Sequence, residues 1–200
     1  MMARWRAAAL PLAALLVVLA AGGGGWLYLS HDAAGEIGGI GGSFTLTDGS
    51  GQRVTDRDLH GRYLLVYFGY TFCPDVCPTT LAAIAGALDR LGTRADRVQA
   101  LFITVDPARD TPPVMRDYTA AFSPRILGLT GSADEIARVA GAYRVYYARR
   151  GAGETAGNYT VDHSSIIYLM GPDGRFIAPI AADEPAARMA ADIARHMGAG

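Results

Sequence analysis

Residues 63–91 read YLLVYFGYTFCPDVCPTTLAAIAGALDRL, which places two different hydrophobic patterns around a short loop. Residues 63–68 form a continuous apolar run, as in a strand that is buried on both faces of a sheet. Residues 69–78 lack such a pattern and predict a loop. Residues 79–91 then place apolar side chains at helical spacing and stop at Gly92, which predicts a helix. A strand, a loop and a helix are therefore expected in succession.

The flanking sequence continues this alternation of strands and helices. A second apolar run at residues 98–105 predicts another central strand. The remaining patterns predict helices at 111–122, 132–143 and 183–196, hairpins at 44–54 and 164–180, short strands at 126–129 and 145–148, and a polar loop at 149–160. Alternating strands and helices imply a parallel core, to which the later hairpin adds antiparallel strands. We therefore predict an α/β, thioredoxin-like fold with a central mixed sheet and an added N-terminal β-hairpin.

The N-terminal residues predict a route out of the cytoplasm. Two arginines precede an uncharged run at residues 7–29, and at about 1.5 Å per residue a helix of that length crosses a roughly 30 Å hydrocarbon core. We expect residues 1–30 to be a membrane anchor, with a cleaved signal peptide as the alternative. Residues 31–42 are expected to be a Gly-rich tether and residues 43–198 the folded domain. These features predict a single-pass protein of the bacterial inner membrane whose domain faces the periplasm.

Composition and charge exclude several classes of protein. The 200 residues carry 18 basic and 19 acidic side chains, a net charge of −1, which leaves no basic surplus for binding nucleic acid. Hydrophobic residues make up 50% of the chain, which is too many for a disordered protein. The two cysteines are too few for a disulfide-rich scaffold or a four-cysteine zinc site.

The two cysteines, Cys73 and Cys77, lie between the predicted buried strand and the helix that follows it. Two thiols at the start of a helix can face the same point, and the helix N-terminus favours the thiolate over the thiol. Thiolates support both redox exchange and metal binding. A structural disulfide is the alternative, but closing so short a loop contributes only about 2 kcal/mol. We favour a redox or metal-binding pair because a domain of this length buries a sufficient core without a disulfide.

A third candidate is His163, in the sequence VDHSS at residues 161–165. It ends the polar loop and precedes an apolar strand, which in a thioredoxin-like fold runs beside the strand before the cysteines. Its imidazole can therefore approach Cys73 and Cys77. Two thiolates and an imidazole suit Cu(I), and also Cu(II) or zinc. Asp162 is expected either to orient the imidazole or to cap a turn.

A charged segment follows the second central strand, at the sheet edge where the cysteines are also expected. It contains Asp106, Arg109 and Asp110. The arginine and the second aspartate could brace the cysteine loop, or the segment could form a local ion pair in a turn, which contributes about 0–1 kcal/mol when it is exposed. We favour the bracing role and do not expect these residues to be metal ligands.

Three segments together resemble the signature segments of the Sco/SenC copper chaperones. They are FGYTFCPDVCP at residues 68–78, VDPARDTP at residues 105–112 and VDHSS at residues 161–165, in the family's order and spacing. The resemblance covers residues 42–196 and implies a thioredoxin-like fold in which Cys73, Cys77 and His163 bind one copper ion, as Cu(I), Cu(II) or both. Many family members carry histidine where this chain has Phe72, so that position offers no fourth ligand here.

The resemblance also implies a function. The family helps to build the binuclear copper centre of cytochrome c oxidase subunit II, by delivering copper, by reducing that centre's cysteines, or both. This chain is therefore expected to be a membrane-tethered periplasmic copper chaperone for that centre. The alternative is a dedicated thiol–disulfide reductase of the same centre, with Cys73 and Cys77 as its redox pair, so whether the chain is an enzyme stays open. The expected partners are subunit II, an upstream periplasmic copper donor and the inner membrane.

Two other thiol-based functions fit the sequence less well. Thiol peroxidases place Thr or Ser three residues before the reactive cysteine and proline seven before it, where this chain has Tyr70 and Val66 ahead of Cys73. General thiol–disulfide oxidoreductases separate their cysteines by two residues rather than three. They also need a cis-proline opposite the cysteines, and the residues just before Ser164 include no proline.

Overall fold

A seven-stranded sheet organises the part of the chain that the computed structural model describes, residues 39–151 and 159–198. The described residues contain these seven strands and two more. In chain order they are β1 (Thr45–Asp48), β2 (Arg53–Thr55), β3 (Tyr63–Gly69), β4 (Val98–Thr104), β5 (Ile126–Thr130), β6 (Tyr147–Arg150), β7 (Thr160–His163), β8 (Ile166–Met170) and β9 (Phe176–Ala181). The sheet has the order β2-β1-β5-β4-β3-β8-β9. Strands β6 and β7 pair with each other in a separate two-stranded ribbon.

The sheet is mixed, with a parallel centre and antiparallel edges. Strands β3 and β4 pair in parallel along their whole length, from Tyr63 opposite Val98 to Gly69 opposite Thr104. Strand β5 adds to β4 in parallel, whereas β1, β2, β8 and β9 pair with their neighbours in antiparallel register. The predicted α/β fold with a central mixed sheet is therefore confirmed. The C-terminal ends of the three parallel strands share one edge of the sheet, and the cysteine segment begins at that edge.

Within the described ranges, three α-helices and two 3-10 turns lie between strands, and a fourth α-helix follows the last strand. They are α1 (Val76–Leu91), α2 (Pro112–Ala120), α3 (Ala133–Ala142) and α4 (Ala186–Met197), with 3-10 turns at Asp56–Leu59 and Gly92–Arg97. Local sequence explains where helices begin. The Ser132 hydroxyl accepts the Glu135 N–H and the Glu135 carboxylate accepts the Ser132 N–H, a capping box at the start of α3. Proline opens α2, at a position where no intrahelical N–H is needed.

The first helix starts earlier than the sequence predicted. A loop was expected through residue 78, but α1 already begins at Val76 and includes Cys77 and Pro78 in its first turn. Proline is tolerated there because the first N–H groups of a helix have no intrahelical acceptor to lose. Pro78 is therefore part of the helix start rather than the end of the loop, and Cys77 is held by helical backbone.

The two faces of β3 pack into separate layers of the core. Successive side chains of a strand point to opposite faces. Leu65 and Tyr67 pack with α1 and α4 on one face, whereas Leu64, Val66 and Phe68 pack with α3 on the other. All five are buried, and burying a large apolar side chain contributes about 1.5–3 kcal/mol. The end of β3 is therefore held in place by the core on both of its faces, and this fixes where the cysteine segment begins.

Residues 1–38 lie outside the described ranges, and with them the predicted anchor at residues 1–30 and most of the tether at 31–42. Among residues 39–151 and 159–198, no helix has both the length and the apolar character needed to cross a membrane.

Candidate metal centre

Cys73 and Cys77 lie where β3 gives way to α1. A tight turn follows the strand, in which the Cys73 N–H donates to the Tyr70 carbonyl oxygen at 3.3 Å. One helical turn later, the Cys77 N–H donates to Cys73 Sγ at 3.4 Å. Both side chains are free thiols; Cys77 is fully buried (0% exposed) and Cys73 is partly exposed. The turn before α1 and the first turn of α1 therefore hold the two sulfurs at different depths of the same site.

Close packing at Gly69 brings the end of β3 against the buried thiol. A Cβ atom on this residue would lie 2.6 Å from Cys77 Sγ and 2.7 Å from Cε2 of Phe102. Glycine is the residue that leaves room for both neighbours. The sulfur of Cys77 can therefore rest directly on the strand backbone.

His163 completes the cluster from the end of β7. Its Nε2 atom lies 3.3 Å from Cys77 Sγ, and its Nδ1 atom lies 3.1 Å from the carbonyl oxygen of Ser164. Because a carbonyl oxygen only accepts hydrogen bonds, Nδ1 carries the proton in the neutral ring and Nε2 keeps its lone pair. The two sulfurs and the imidazole nitrogen all lie within 4.8 Å of one another. The structure thus brings together the three side chains that the sequence singled out.

The two thiols of the metal-free site differ in acidity. The hydrogen bond from the Cys77 side chain lowers the pKa of Cys73 to about 4, and the backbone N–H groups of Cys77 and Asp75 add to this effect. The same hydrogen bond and burial raise the pKa of Cys77. At neutral pH the reduced pair therefore holds one proton, on Cys77, and one negative charge, on Cys73.

This asymmetry predicts how the metal-free protein reacts with iodoacetamide. Cys73 should be alkylated faster than Cys77, at a rate that stays nearly constant from about pH 5 to pH 8 and falls below about pH 4, because the thiolate is the reactive form. Peptide mapping by mass spectrometry after timed reaction measures both rates. A Cys73→Ser variant is the control and should leave Cys77 slow to react. A Cys73 rate that climbs through pH 8 to 9 would show an ordinary thiol and contradict the prediction.

The surroundings of His163 differ from expectation in two ways. The histidine was predicted at the end of a loop, but Val161 and its neighbours form β7, in which His163 pairs with Tyr147 of β6. The proposed role of Asp162 in orienting the imidazole is wrong. Its carboxylate accepts from Arg150 Nε at 2.7 Å, and the acceptor for the imidazole is the Ser164 carbonyl. Side chains of adjacent strand residues point to opposite faces, which separates Asp162 from the ring.

Asp110 has the bracing role that the sequence suggested. Its buried carboxylate accepts from the Thr71 N–H at 3.1 Å, from the Thr71 hydroxyl at 2.6 Å and from the Thr104 hydroxyl at 2.5 Å. Thr71 stands two residues before Cys73, so these bonds tie the cysteine loop to the end of β4. Burial raises the pKa of Asp110 although its hydrogen bonds act in the opposite direction.

Two tyrosines, Tyr67 and Tyr70, also belong to the site. The rings of Tyr67 and Tyr70 contact the His163 ring edge-on, with centroids 6.2 and 6.0 Å away, and the Tyr67 hydroxyl lies 3.8 Å from Cys77 Sγ. Both tyrosines are buried. The signal that could have found them is their place at and just beyond the end of β3, next to the cysteine segment.

The donor set fits a soft metal ion. Two thiol sulfurs and one imidazole nitrogen are ligands that copper accepts, and an ion bound to all three keeps an open coordination position. The site could therefore hold one copper ion.

Comparisons with known proteins agree with this arrangement. The family model described as SCO1/SenC matches residues 33–198. The chain is 44% identical over 160 residues to the mitochondrial SCO1 homolog of Homo sapiens, which covers 79% of this chain and 53% of that protein. It is 48% identical over 138 residues to Protein SenC of Rhodobacter capsulatus, which covers 69% of this chain and 62% of that protein. The chain thus spans little more than half the length of these curated relatives.

Solved structures show the same similarity. The structure of Bradyrhizobium japonicum ScoI with copper bound superposes with a TM-score of 0.72 at 48% identity, over 78% of this chain and 98% of that one. The family model spans most of the chain, and the described fold places the two cysteines and the histidine of the signature segments in one cluster. The chain therefore belongs to the SCO1/SenC family.

Proposed function

We propose that this chain is a copper chaperone that carries one copper ion on Cys73, Cys77 and His163 and delivers it to the binuclear copper centre of cytochrome c oxidase subunit II. The convergence of two sulfurs and one imidazole nitrogen within 4.8 Å is the observation that carries this proposal. The copper-bound state of the similar ScoI protein supports copper as the metal. The resemblance of the three signature segments to Sco/SenC chaperones supports subunit II as the recipient.

The site is suited to releasing its metal as well as to binding it. Cys73 is partly exposed, and its neighbour Phe72 is 58% exposed, so a recipient can approach the metal from this side. Three protein donors leave room for a ligand from the recipient to enter before a donor of this chain leaves. Copper can therefore pass by ligand exchange without becoming free in solution.

The three side chains are prepared for the metal in different ways. Cys73 already offers a thiolate because its pKa is about 4. Cys77 has to give up its proton, so copper binding is accompanied by proton release. His163 offers the Nε2 lone pair because the Ser164 carbonyl holds the proton on Nδ1.

The Cys73 thiolate beside the Cys77 thiol also favours a second candidate function, reduction of the recipient's cysteines. The Cys73 thiolate would attack one sulfur of a recipient disulfide, forming a mixed disulfide and releasing one recipient thiolate. Cys77, after losing its proton, would attack Cys73 Sγ and release the second recipient thiolate. Two electrons pass to the recipient, and this chain is left with a Cys73–Cys77 disulfide that no longer supplies two thiolate donors.

The cellular location forms part of the proposal. Residues 1–30 would anchor the chain in the bacterial inner membrane, residues 31–42 would act as a tether, and residues 43–198 would form the copper-binding domain in the periplasm. In that place the domain can reach both an upstream periplasmic copper donor and subunit II. A net charge of −1 agrees with protein partners rather than nucleic acid.

The test compares subunit II in cells with and without this protein. We expect subunit II from the deletion strain to lack its copper, measured by metal analysis of the purified oxidase, and added copper to restore it. A subunit II that is fully loaded with copper in the deletion strain would contradict the delivery function. Restoration by an added thiol reductant but not by copper would instead identify the reductase function.

A His163→Ala variant separates the two functions further. It keeps both cysteines and should therefore still exchange disulfides, but it lacks one of the three copper donors. If delivery is the function, this variant should fail to restore oxidase copper in the deletion strain. If reduction is the function, it should restore it as well as the unmodified protein does.

A further inference from the structure

The three donors of the site come from two separate parts of the fold. Cys73 and Cys77 stand at the junction of β3 and α1, whereas His163 stands on the β6–β7 ribbon. Within residues 39–151 and 159–198, that ribbon pairs only with itself and shares no backbone ladder with the seven-stranded sheet. A two-residue link, Ser164 and Ser165, joins His163 to β8 of the main sheet, and side-chain contacts between the ribbon and the cysteine segment add to this link in positioning the imidazole relative to the sulfurs.

Asp106 supplies one set of these contacts. It follows β4, and its carboxylate is fully buried (0% exposed). It pairs with Arg109 Nε, accepts from the Tyr159 hydroxyl at 2.7 Å and lies 3.4 Å from Arg149 Nη2. Tyr159 immediately precedes β7 and Arg149 belongs to β6, so the carboxylate connects the main sheet to both strands of the ribbon. A buried carboxylate with these partners is costly to disturb.

Arg109 supplies the second set and reaches both ligand-bearing segments at once. Its guanidinium lies over the rings of three residues, at 3.8 Å from the centroid of Tyr159, 4.6 Å from that of Phe72 and 5.7 Å from that of Tyr70. Its Nη1 atom also donates to the Tyr159 carbonyl at 3.1 Å. The planar cation thus stacks between the cysteine segment and the strand of His163, and its side chain is only 12% exposed.

The three rings over which the Arg109 guanidinium lies belong to residues that are close to the metal ligands in sequence or in space. Phe72 is the residue before Cys73, and Tyr159 immediately precedes β7, four residues before His163. Tyr70 contacts both the Arg109 guanidinium and the His163 ring. A displacement of the guanidinium would therefore disturb the packing on both sides of the donor cluster, at the cysteine segment and at the segment that leads to His163.

We propose that Arg109 is a positioning residue for copper binding: by joining the Phe72 side of the site to the Tyr159 side, it fixes the distance between the His163 imidazole and the two thiols. This inference rests on the proposed copper-binding function. Arg109 itself does not touch the metal in this assignment. Residues that orient metal ligands typically change metal affinity by about 10- to 100-fold when they are replaced.

The test uses the full-length chain in detergent and compares it with Arg109→Lys and Arg109→Leu. Lysine keeps a positive charge for Asp106 but cannot stack as a plane on the three rings or donate as a fork. We expect both variants to bind Cu(II) about 10- to 100-fold more weakly in competition with a chelator. We also expect the nitrogen coupling of His163 in the Cu(II) electron paramagnetic resonance spectrum to weaken or disappear. Circular dichroism checks the fold, and Arg109→Lys keeps the test valid if Arg109→Leu does not fold.

Two further variants decide how the result is interpreted. Arg116→Leu removes an exposed arginine of α2 that contacts the β1–β2 turn, and it should leave affinity and nitrogen coupling unchanged. In a His163→Ala background, Arg109→Lys should cost little additional affinity, since the ligand it positions is gone. Unchanged affinity and coupling in Arg109→Lys, or an equal loss in the His163→Ala background, would overturn the positioning role. Absence of copper binding by the unmodified chain would overturn the proposed function instead.

Discussion

We expect a Cys77→Ser substitution to abolish stoichiometric copper binding by the full-length chain. Serine is a hard, protonated donor, and it would leave one thiolate and one imidazole for a soft ion. A structural zinc site contributes about 10–16 kcal/mol through four ligands, which suggests roughly 3 kcal/mol, or at least a 100-fold change in affinity, for each strong donor. Metal analysis after gel filtration and the thiolate-to-Cu(II) charge-transfer band measure the loss.

A Cys77→Ala variant provides the matched control for this result. Cys77 packs among apolar side chains next to Gly69, and alanine removes the sulfur without placing a hydroxyl beside the His163 Nε2 lone pair. Both variants should lose copper, because neither side chain supplies a thiolate. If either variant binds one equivalent of copper with an unchanged charge-transfer band, Cys77 is not a ligand.

The two ends of the site differ in how far the sequence could predict them. Cys73 and Cys77 lie close together in the chain, so their spacing at a strand-to-helix junction was sufficient to place both thiols at one point. The position of His163 depended on a long-range pairing. Its proximity followed from the expected fold, but its place on β7, opposite Tyr147, follows from a ribbon that was predicted only in part, since a short strand was expected at 145–148 and a polar loop at 149–160. Alternation over so short a strand is a weak signal.

The sequence predicted the metal ligands themselves better than it predicted the contacts around them. Asp106 and Arg109 lie three residues apart in the chain, and a local ion pair within this segment was one of the alternatives that the sequence left open. Their shared contact with Tyr159 joins residues that are far apart in sequence, and pattern alone does not reveal such a pairing. The hydrogen-bond partner of His163 is likewise a backbone carbonyl. Because every residue carries such an acceptor, the residue types in the sequence do not show which carbonyl the imidazole contacts.

The substitution Asp110→Ala should weaken both the fold and copper binding. It removes the acceptor for the Thr71 N–H and for the hydroxyls of Thr71 and Thr104, and the freed groups are buried or partly buried. Leaving such donors unsatisfied should lower the free energy of unfolding by about 2–4 kcal/mol. For a domain of this size the thermal midpoint should fall by about 5–15 °C. Differential scanning calorimetry of the metal-free chain measures this effect.

An Asp110→Asn substitution tests whether the hydrogen bonds or the charge matter. The amide oxygen can take the place of the carboxylate oxygen that serves the Thr71 N–H and the Thr104 hydroxyl, and the amide nitrogen can donate to the Thr71 hydroxyl after that hydroxyl rotates. Burial already disfavours the charged carboxylate, so a neutral amide avoids that desolvation cost. Asp110→Asn should therefore stay within about 1 kcal/mol of the unmodified chain and keep its copper affinity. If it is as damaging as Asp110→Ala, the negative charge itself, rather than the bracing of Thr71, is what the cysteine loop requires.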